Sequence, residues 1–177
     1  MALGIAVAAG VGAVRSSDED TVIDPGPART RISGVAESGT PAPAFDLQAL
    51  NGNRMVRLAD YRGRPVIVNF WASWCKECGD EFPMLADLVM DHRSKDDLVV
   101  IGITYRDIVA DARDFAERHD ANWVLAYGGD DDPVARDYGI RAIPQTFFID
   151  RAGRIRARAF GLLSRAAVDA AVKTISR

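Results

Sequence analysis

Val66-Ile67-Val68-Asn69-Phe70-Trp71-Ala72-Ser73-Trp74-Cys75-Lys76-Glu77-Cys78 holds both cysteines of the 177-residue chain. Its first five residues form an apolar, β-branched run that predicts a buried strand. A strand that hands a Cys-x-x-Cys pair to the start of a helix is a redox arrangement. Residues so spaced are close enough for a disulfide, whose Cα atoms lie roughly 4.4–6.8 Å apart. Cys75 would then sit at the helix N-terminus. There the free N–H groups and the positive end of the helix dipole favour the thiolate, the nucleophile of disulfide exchange. Cys78, one turn in and more shielded, is the natural resolving thiol.

The residues around the pair tune it. Lys76 favours a Cys75 thiolate and Glu77 opposes it. Glu81, one turn beyond Cys78, is positioned to accept or relay its proton; its alternative reading is a solvated helix residue. A zinc half-site is the competing reading of the cysteines. It needs a second, closely spaced ligand pair, and the chain's two histidines, His92 and His119, stand far apart in sequence. Both are read as surface residues. Asp130-Asp131-Asp132 reads as a solvated turn and helix cap before it reads as a cation site.

Charged residues make up 27% and apolar residues 48%, which suits one core-bearing domain plus a tail. The net charge is −3, and no basic, aromatic-rich patch points to nucleic acid. Two cysteines exclude a disulfide scaffold.

Residues 2–14 carry no charge. They are too few to span a membrane, which takes about 17–25 residues, and they lack the basic start of a signal peptide. They read as the remnant of an export signal or membrane anchor (residues 1–14), or else as a disordered or docked apolar tail. Residues 15–39, with Ser16-Ser17, Asp18-Glu19-Asp20 and Pro25-Gly26-Pro27, read as a linker. The domain is expected over residues 40–177.

Within it, an extended Pro41–Leu47 segment, the turn signal Asn51-Gly52-Asn53 and the alternating Arg54–Leu58 predict a small hairpin. A helix follows the cysteines with Phe82, Leu85, Leu88 and Val89 at helical spacing and Pro83 as a kink. Leu98–Tyr105 predicts a central strand, Ala110–His119 a helix and Trp123–Ala126 a short strand. Asp132-Pro133 predicts a helix start, with the carboxylate as cap, and Gly139 its end. Thr146–Ile149 and Arg154–Phe160 predict strands joined by the turn Asp150–Gly153. Ser164 caps a last helix with Val168, Ala171, Val172 and Ile175 on one face. Strands alternating with helices, then a hairpin, imply an α/β fold with a mixed central sheet flanked by helices.

Phe70-Trp71-Ala72-Ser73-Trp74-Cys75-x-x-Cys78, Glu81-Phe82-Pro83 and Ile143-Pro144 together resemble the thioredoxin superfamily, and within it the exported ResA/TlpA/CcmG (DsbE)-like thiol-disulfide oxidoreductases. Pro41–Phe45 and the hairpin resemble that branch's N-terminal extension. Asn69 stands where thioredoxins themselves carry a buried Asp. Gly102–Asp107 with Ala112–His119 resembles its central helix-bearing insertion, and Pro144–Asp150 with Gly153 its cis-proline loop. The resemblance covers about residues 39–177.

It implies a thioredoxin-like fold and a protein disulfide reductase, with no cofactor beyond the redox-active Cys75–Cys78 pair. Cys75 attacks, Cys78 resolves and Glu81 moves a proton. Trp74 shields the pair, and Ile143 with a cis Pro144 docks the substrate. It further implies a membrane-tethered or exported protein working outside the cytoplasm; a monomer that binds no nucleic acid is expected. The expected partners are a disulfide-bearing protein, apocytochrome c among them, and a membrane thiol donor of the CcdA/DsbD type. The branch often has Pro before the second cysteine. Glu77 stands there instead, which leaves the direction of electron flow open. The rivals are a redoxin-type thiol peroxidase and a non-catalytic metal- or apocytochrome-binding module.

Overall fold

The computed structural model describes residues 31–33, 39–94, 97–129 and 131–177, the first three by backbone alone. Residues 1–14 and Asp130 lie outside the described residues, as does most of the 15–39 stretch.

The run at 66–71 is strand β5 (Val66–Trp71), buried along its whole length. Val66, Val68 and Phe70 pack into one layer with Phe45, Tyr138 and Phe147. Ile67 and Trp71 pack into the other with Phe82, Leu85, Phe115 and Val168. A strand covered on both faces carries no polar alternation, so its sequence reads as an unbroken apolar run. Strands β6 (Val99–Thr104) and β7 (Val124–Ala126) extend the sheet in parallel on one side of β5. Strands β8 (Gln145–Ile149) and β9 (Arg154–Phe160) extend it antiparallel on the other.

Helix α1 (Lys76–Arg93) connects β5 to β6 and runs through Pro83 without ending. Helix α2 (Val109–Arg118) forms the insertion between β6 and β7 and buries Ala112, Phe115 and Ala116. A short helix α3 (Pro133–Asp137) precedes β8. The last helix, α4 (Arg165–Ile175), starts at Ser164, whose hydroxyl oxygen accepts the Ala167 N–H at 3.3 Å. The expected hairpin is the pair β3 (Asp46–Gln48) and β4 (Met55–Arg57). This is the thioredoxin-like architecture expected from the sequence, with its mixed sheet and helix-bearing insertion.

Three features differ from expectation. Strand β1 (Arg31–Ser33) lies within the stretch read as linker and pairs antiparallel with Arg158–Phe160 of β9. Strand β2 (Thr40–Pro41) pairs further along the same edge. Edge pairing of this kind uses backbone groups, which leave no apolar signature in a sequence. Second, Asp132 does precede α3, but its carboxylate makes no cap; Oδ2 accepts the Arg106 N–H at 2.7 Å instead. Third, His119 does not stand free on the surface but is half-buried. Its ring lies 4.3 Å from that of Phe115, and it packs where a side chain at Gly79 would otherwise fit.

Candidate active site

Cys75 is the N-cap of α1, and its sulfur accepts the Cys78 N–H at 3.2 Å. The two cysteines are disulfide-bonded, with Cα atoms 5.3 Å apart. Cys75 is 5% exposed and Cys78 fully buried, so Cys75 is the more accessible of the pair. The helix N-terminus is therefore aimed at the more accessible cysteine, the arrangement that stabilises a thiolate there.

Behind the pair lies a buried polar group that the sequence places on two different elements. Glu81 follows Cys78 by three residues, so both lie on one face of α1. It is 1% exposed, which rules out the solvated reading. Its Oε1 accepts the Asn69 side-chain N–H at 2.7 Å, and its Oε2 accepts the Leu163 backbone N–H at 3.2 Å. The Asn69 amide also donates to the Thr146 hydroxyl oxygen at 3.0 Å. Burial pushes the Glu81 carboxyl up to about 7, against the pull of its two donors. An Asp at position 69 would set a second carboxylate against Glu81; Asn supplies a donor instead. No sequence signal marks Thr146 and Leu163 for this role, since contacts spanning 77 and 82 residues have no sequence period.

The dipeptide between the cysteines faces water. Lys76 pairs with Asp80 at 2.7 Å, one turn along the helix, and its side chain is 82% exposed. Its charge is thus shared with a carboxylate rather than directed at Cys75 alone. Glu77 is exposed. Trp74 is 60% exposed, and its indole N–H donates to the Arg106 carbonyl at 3.1 Å. That bond fixes the ring at the rim of a shallow cavity shared with Ser73, Asp111, Asp114 and Arg118.

The Ile143–Pro144 peptide is cis. Phe70 of β5 pairs with Gln145 of β8, so Pro144 lies one step beyond, at the sheet end from which β5 leads to Cys75. Pro144 is buried and Ile143 half-buried. Cys75, Cys78, Glu81, Asn69, Trp74, Ile143 and Pro144 therefore gather at one end of the sheet. No three His, Cys, Asp or Glu side chains among the described residues come together in a way that could hold a metal ion. His92 is engaged by Asp97 at 2.7 Å.

Two further residues at this end carry contacts that the sequence reading assigned no role. The Asp107 carboxylate accepts both the N–H and the hydroxyl of Ser73, two residues before Cys75. Arg106 holds Trp74 through its carbonyl. An Asp just ahead of a helix reads as a cap by local rules. Asp107 does accept the Ile108 N–H at 2.9 Å, but its bonds to Ser73 bridge 34 residues.

Residues 38–158 match the model of the AhpC/TSA family. The chain is 34% identical to the thiol:disulfide interchange protein DsbE of Pseudomonas fluorescens over 125 residues, covering 71% of this chain and 67% of that protein. It is 32% identical to the thiol-disulfide oxidoreductase ResA of Geobacillus thermodenitrificans, covering 72% and 71%. Among solved structures it resembles the thioredoxin domain of a thiol-disulfide oxidoreductase from Bacteroides vulgatus. That match has a TM-score of 0.69 at 26% identity and covers 77% of this chain and 96% of the other. With a Cys-x-x-Cys pair on a thioredoxin-like fold and relatives of this kind, the chain belongs to the AhpC/TSA family and is a thiol-disulfide oxidoreductase of the DsbE/ResA type.

Proposed function

We propose that the protein reduces disulfides in other proteins outside the cytoplasm, with the haem-site cysteines of apocytochrome c as substrate. The observation that carries this reading is the buried Glu81, held near neutrality one turn behind Cys78. A resolving thiol must lose its proton to act, and a base with a pKa close to ambient pH is suited to take it.

The geometry supports the following cycle. The Cys75 thiolate attacks one sulfur of the substrate disulfide and releases the other as a thiolate. The Cys78 thiol passes its proton to Glu81, and its sulfur attacks Cys75. The second substrate thiol leaves, and Cys75–Cys78 becomes a disulfide. The substrate has gained two electrons and the protein has lost two. A dithiol donor at the membrane, of the CcdA/DsbD type, returns the protein to its reduced form. Trp74 and the Ile143–Pro144 step form the rim that receives the substrate chain, and Lys76, Glu77 and Asn69 set the potential. Residues 1–14 are the remnant of an export signal or of an anchor that would hold the domain at the membrane.

The test is trapping on a peptide carrying an oxidised Cys-x-x-Cys-His haem site. Cys78→Ser should accumulate a mixed disulfide through Cys75, reversed by added thiol, and Cys75→Ser should form none. Failure of Cys78→Ser to form an adduct with this peptide or with insulin would sink the assigned roles. An adduct with insulin alone would remove apocytochrome c as substrate. A Cys75–Cys78 potential near that of strong oxidants, about −120 mV, would reverse the proposed direction.

A further inference from the structure

Four residues, Ala72 to Cys75, separate β5 from α1, and they are tied down from one direction. The Cys75 N–H donates to the Ala72 carbonyl at 3.2 Å and closes a turn. Ser73, second in that turn, gives its N–H to Asp107 Oδ2 at 2.5 Å and its hydroxyl to Asp107 Oδ1 at 2.7 Å. Trp74, third in the turn, gives its indole N–H to Arg106. The Tyr105 N–H donates to the Trp71 carbonyl at 2.8 Å, where the β5–β6 ladder ends. The turn that presents Cys75 is thus laid against residues 105–107.

That support is itself fixed. Arg106 has φ 48°, a left-handed conformation that is costly for a residue with a side chain. Its N–H donates to Asp132, which is buried and also left-handed at φ 44°. Asp107 takes a third bond from the Ile108 N–H at the head of α2. Strained residues persist where their surroundings over-determine them, and they cluster at sites that need fixed geometry.

We infer that Asp107 is a positioning residue for the thiol chemistry, holding through Ser73 the turn that keeps the Cys75 sulfur on the N-terminus of α1. The inference rests on Cys75 being the attacking thiol. Position and charge work in opposite directions here. A carboxylate near a thiol disfavours the thiolate, whereas a sulfur held against free helix N–H groups is favoured as thiolate. The other charged groups near this end are Lys76, Glu77, Asp80 and Glu81 on α1, Arg106 on the same loop, Asp111, Asp114 and Arg118 on α2, and Asp132 against Arg106. Each of them is present in all the proteins compared, so the variants differ only at position 107.

The experiment titrates Cys75 by thiolate absorbance in a Cys78→Ser background, with Asp107 intact, with Asp107→Asn and with Asp107→Ala. If Asp107 positions the turn, both neutral variants raise the Cys75 pKa. Thiolate at a fixed pH below both values then falls about three- to tenfold, the scale of one ordinary hydrogen bond's net contribution. If Asp107 acts by charge alone, the pKa falls in both variants, and if it serves only the fold, the pKa stays put while the melting temperature drops. Either result overturns the inference. Asp107→Asn keeps the size and one acceptor, so it serves where Asp107→Ala does not fold, and Ser73→Ala should show a smaller rise. A Cys75 that traps substrate while ignoring position 107 sinks this inference and leaves the proposed function standing.

Discussion

A carboxyl group placed beyond the reach of water sets the pH behaviour of this protein. Glu81 titrates near 7 in the fold and near 4.5 in the unfolded chain. Below 4.5 both states are protonated and folding is not penalised. Between the two values the unfolded chain releases its proton while the fold keeps it, so stability falls as pH rises. Above 7 both are ionised and the cost is complete, about 3 kcal/mol from the separation of the two values. Glu81→Gln should remove this slope. Its amide oxygen would accept from Leu163, and its NH₂ would meet Asn69 turned over to present Oδ1. That oxygen has no hydrogen-bond partner in the wild-type protein among the described residues. Urea unfolding between pH 5 and 8 checks it: the wild type loses stability across the range relative to the variant. A variant that keeps the wild-type slope would place the titrating group elsewhere. Cys75, Cys78 and Glu81 were legible because they share one helix at fixed spacing. The Asn69–Glu81 bond was not, because a strand and a helix must pack before it exists.

The elements themselves were readable wherever they buried apolar surface. Strands β5, β6, β8 and β9 and helices α1, α2 and α4 fall within a few residues of the sequence reading, since each carries a run or a stripe that must be covered. What escaped was held by polar contacts. β1 pairs with β9 through its backbone, and Asp132 reads as a local cap but serves the loop after β6. Gly128 belongs to the same blind spot. Its N–H donates to the Thr104 hydroxyl at 2.9 Å, and an added Cβ would sit 2.2 Å from the Thr104 carbonyl oxygen. That neighbour is backbone and cannot swing aside. Gly128→Ala should therefore cost more than about 2 kcal/mol, at the upper end of overpacking effects, read as a lower urea midpoint with the slope unchanged. A substitution tolerated within about 0.5 kcal/mol would mean that the segment after β7 yields more freely than its contacts imply.

For the whole molecule, the order of the strands brings the working residues to one end of a single sheet, and that much follows from the crossover rules once the strands are placed. The path of the chain into and out of the sheet did not follow from any local pattern. In β1, Arg31 lies opposite Phe160, and Phe160 in turn pairs with Gln145, the neighbour of Pro144. The chain thus enters the domain beside the reactive mouth. It leaves at the far end, where the Ser176 carbonyl accepts from Arg151 in the turn between β8 and β9. A bulky protein fused ahead of residue 31 should therefore slow thiol exchange with large protein substrates and spare small disulfides, while the same fusion after Arg177 should do neither. Equal rates for the two fusions on a protein substrate would contradict this polarity. Antiparallel pairing on an outer strand thus acts as a compass for the catalyst: any leash attached upstream would hold the mouth toward whatever the leash was fastened to.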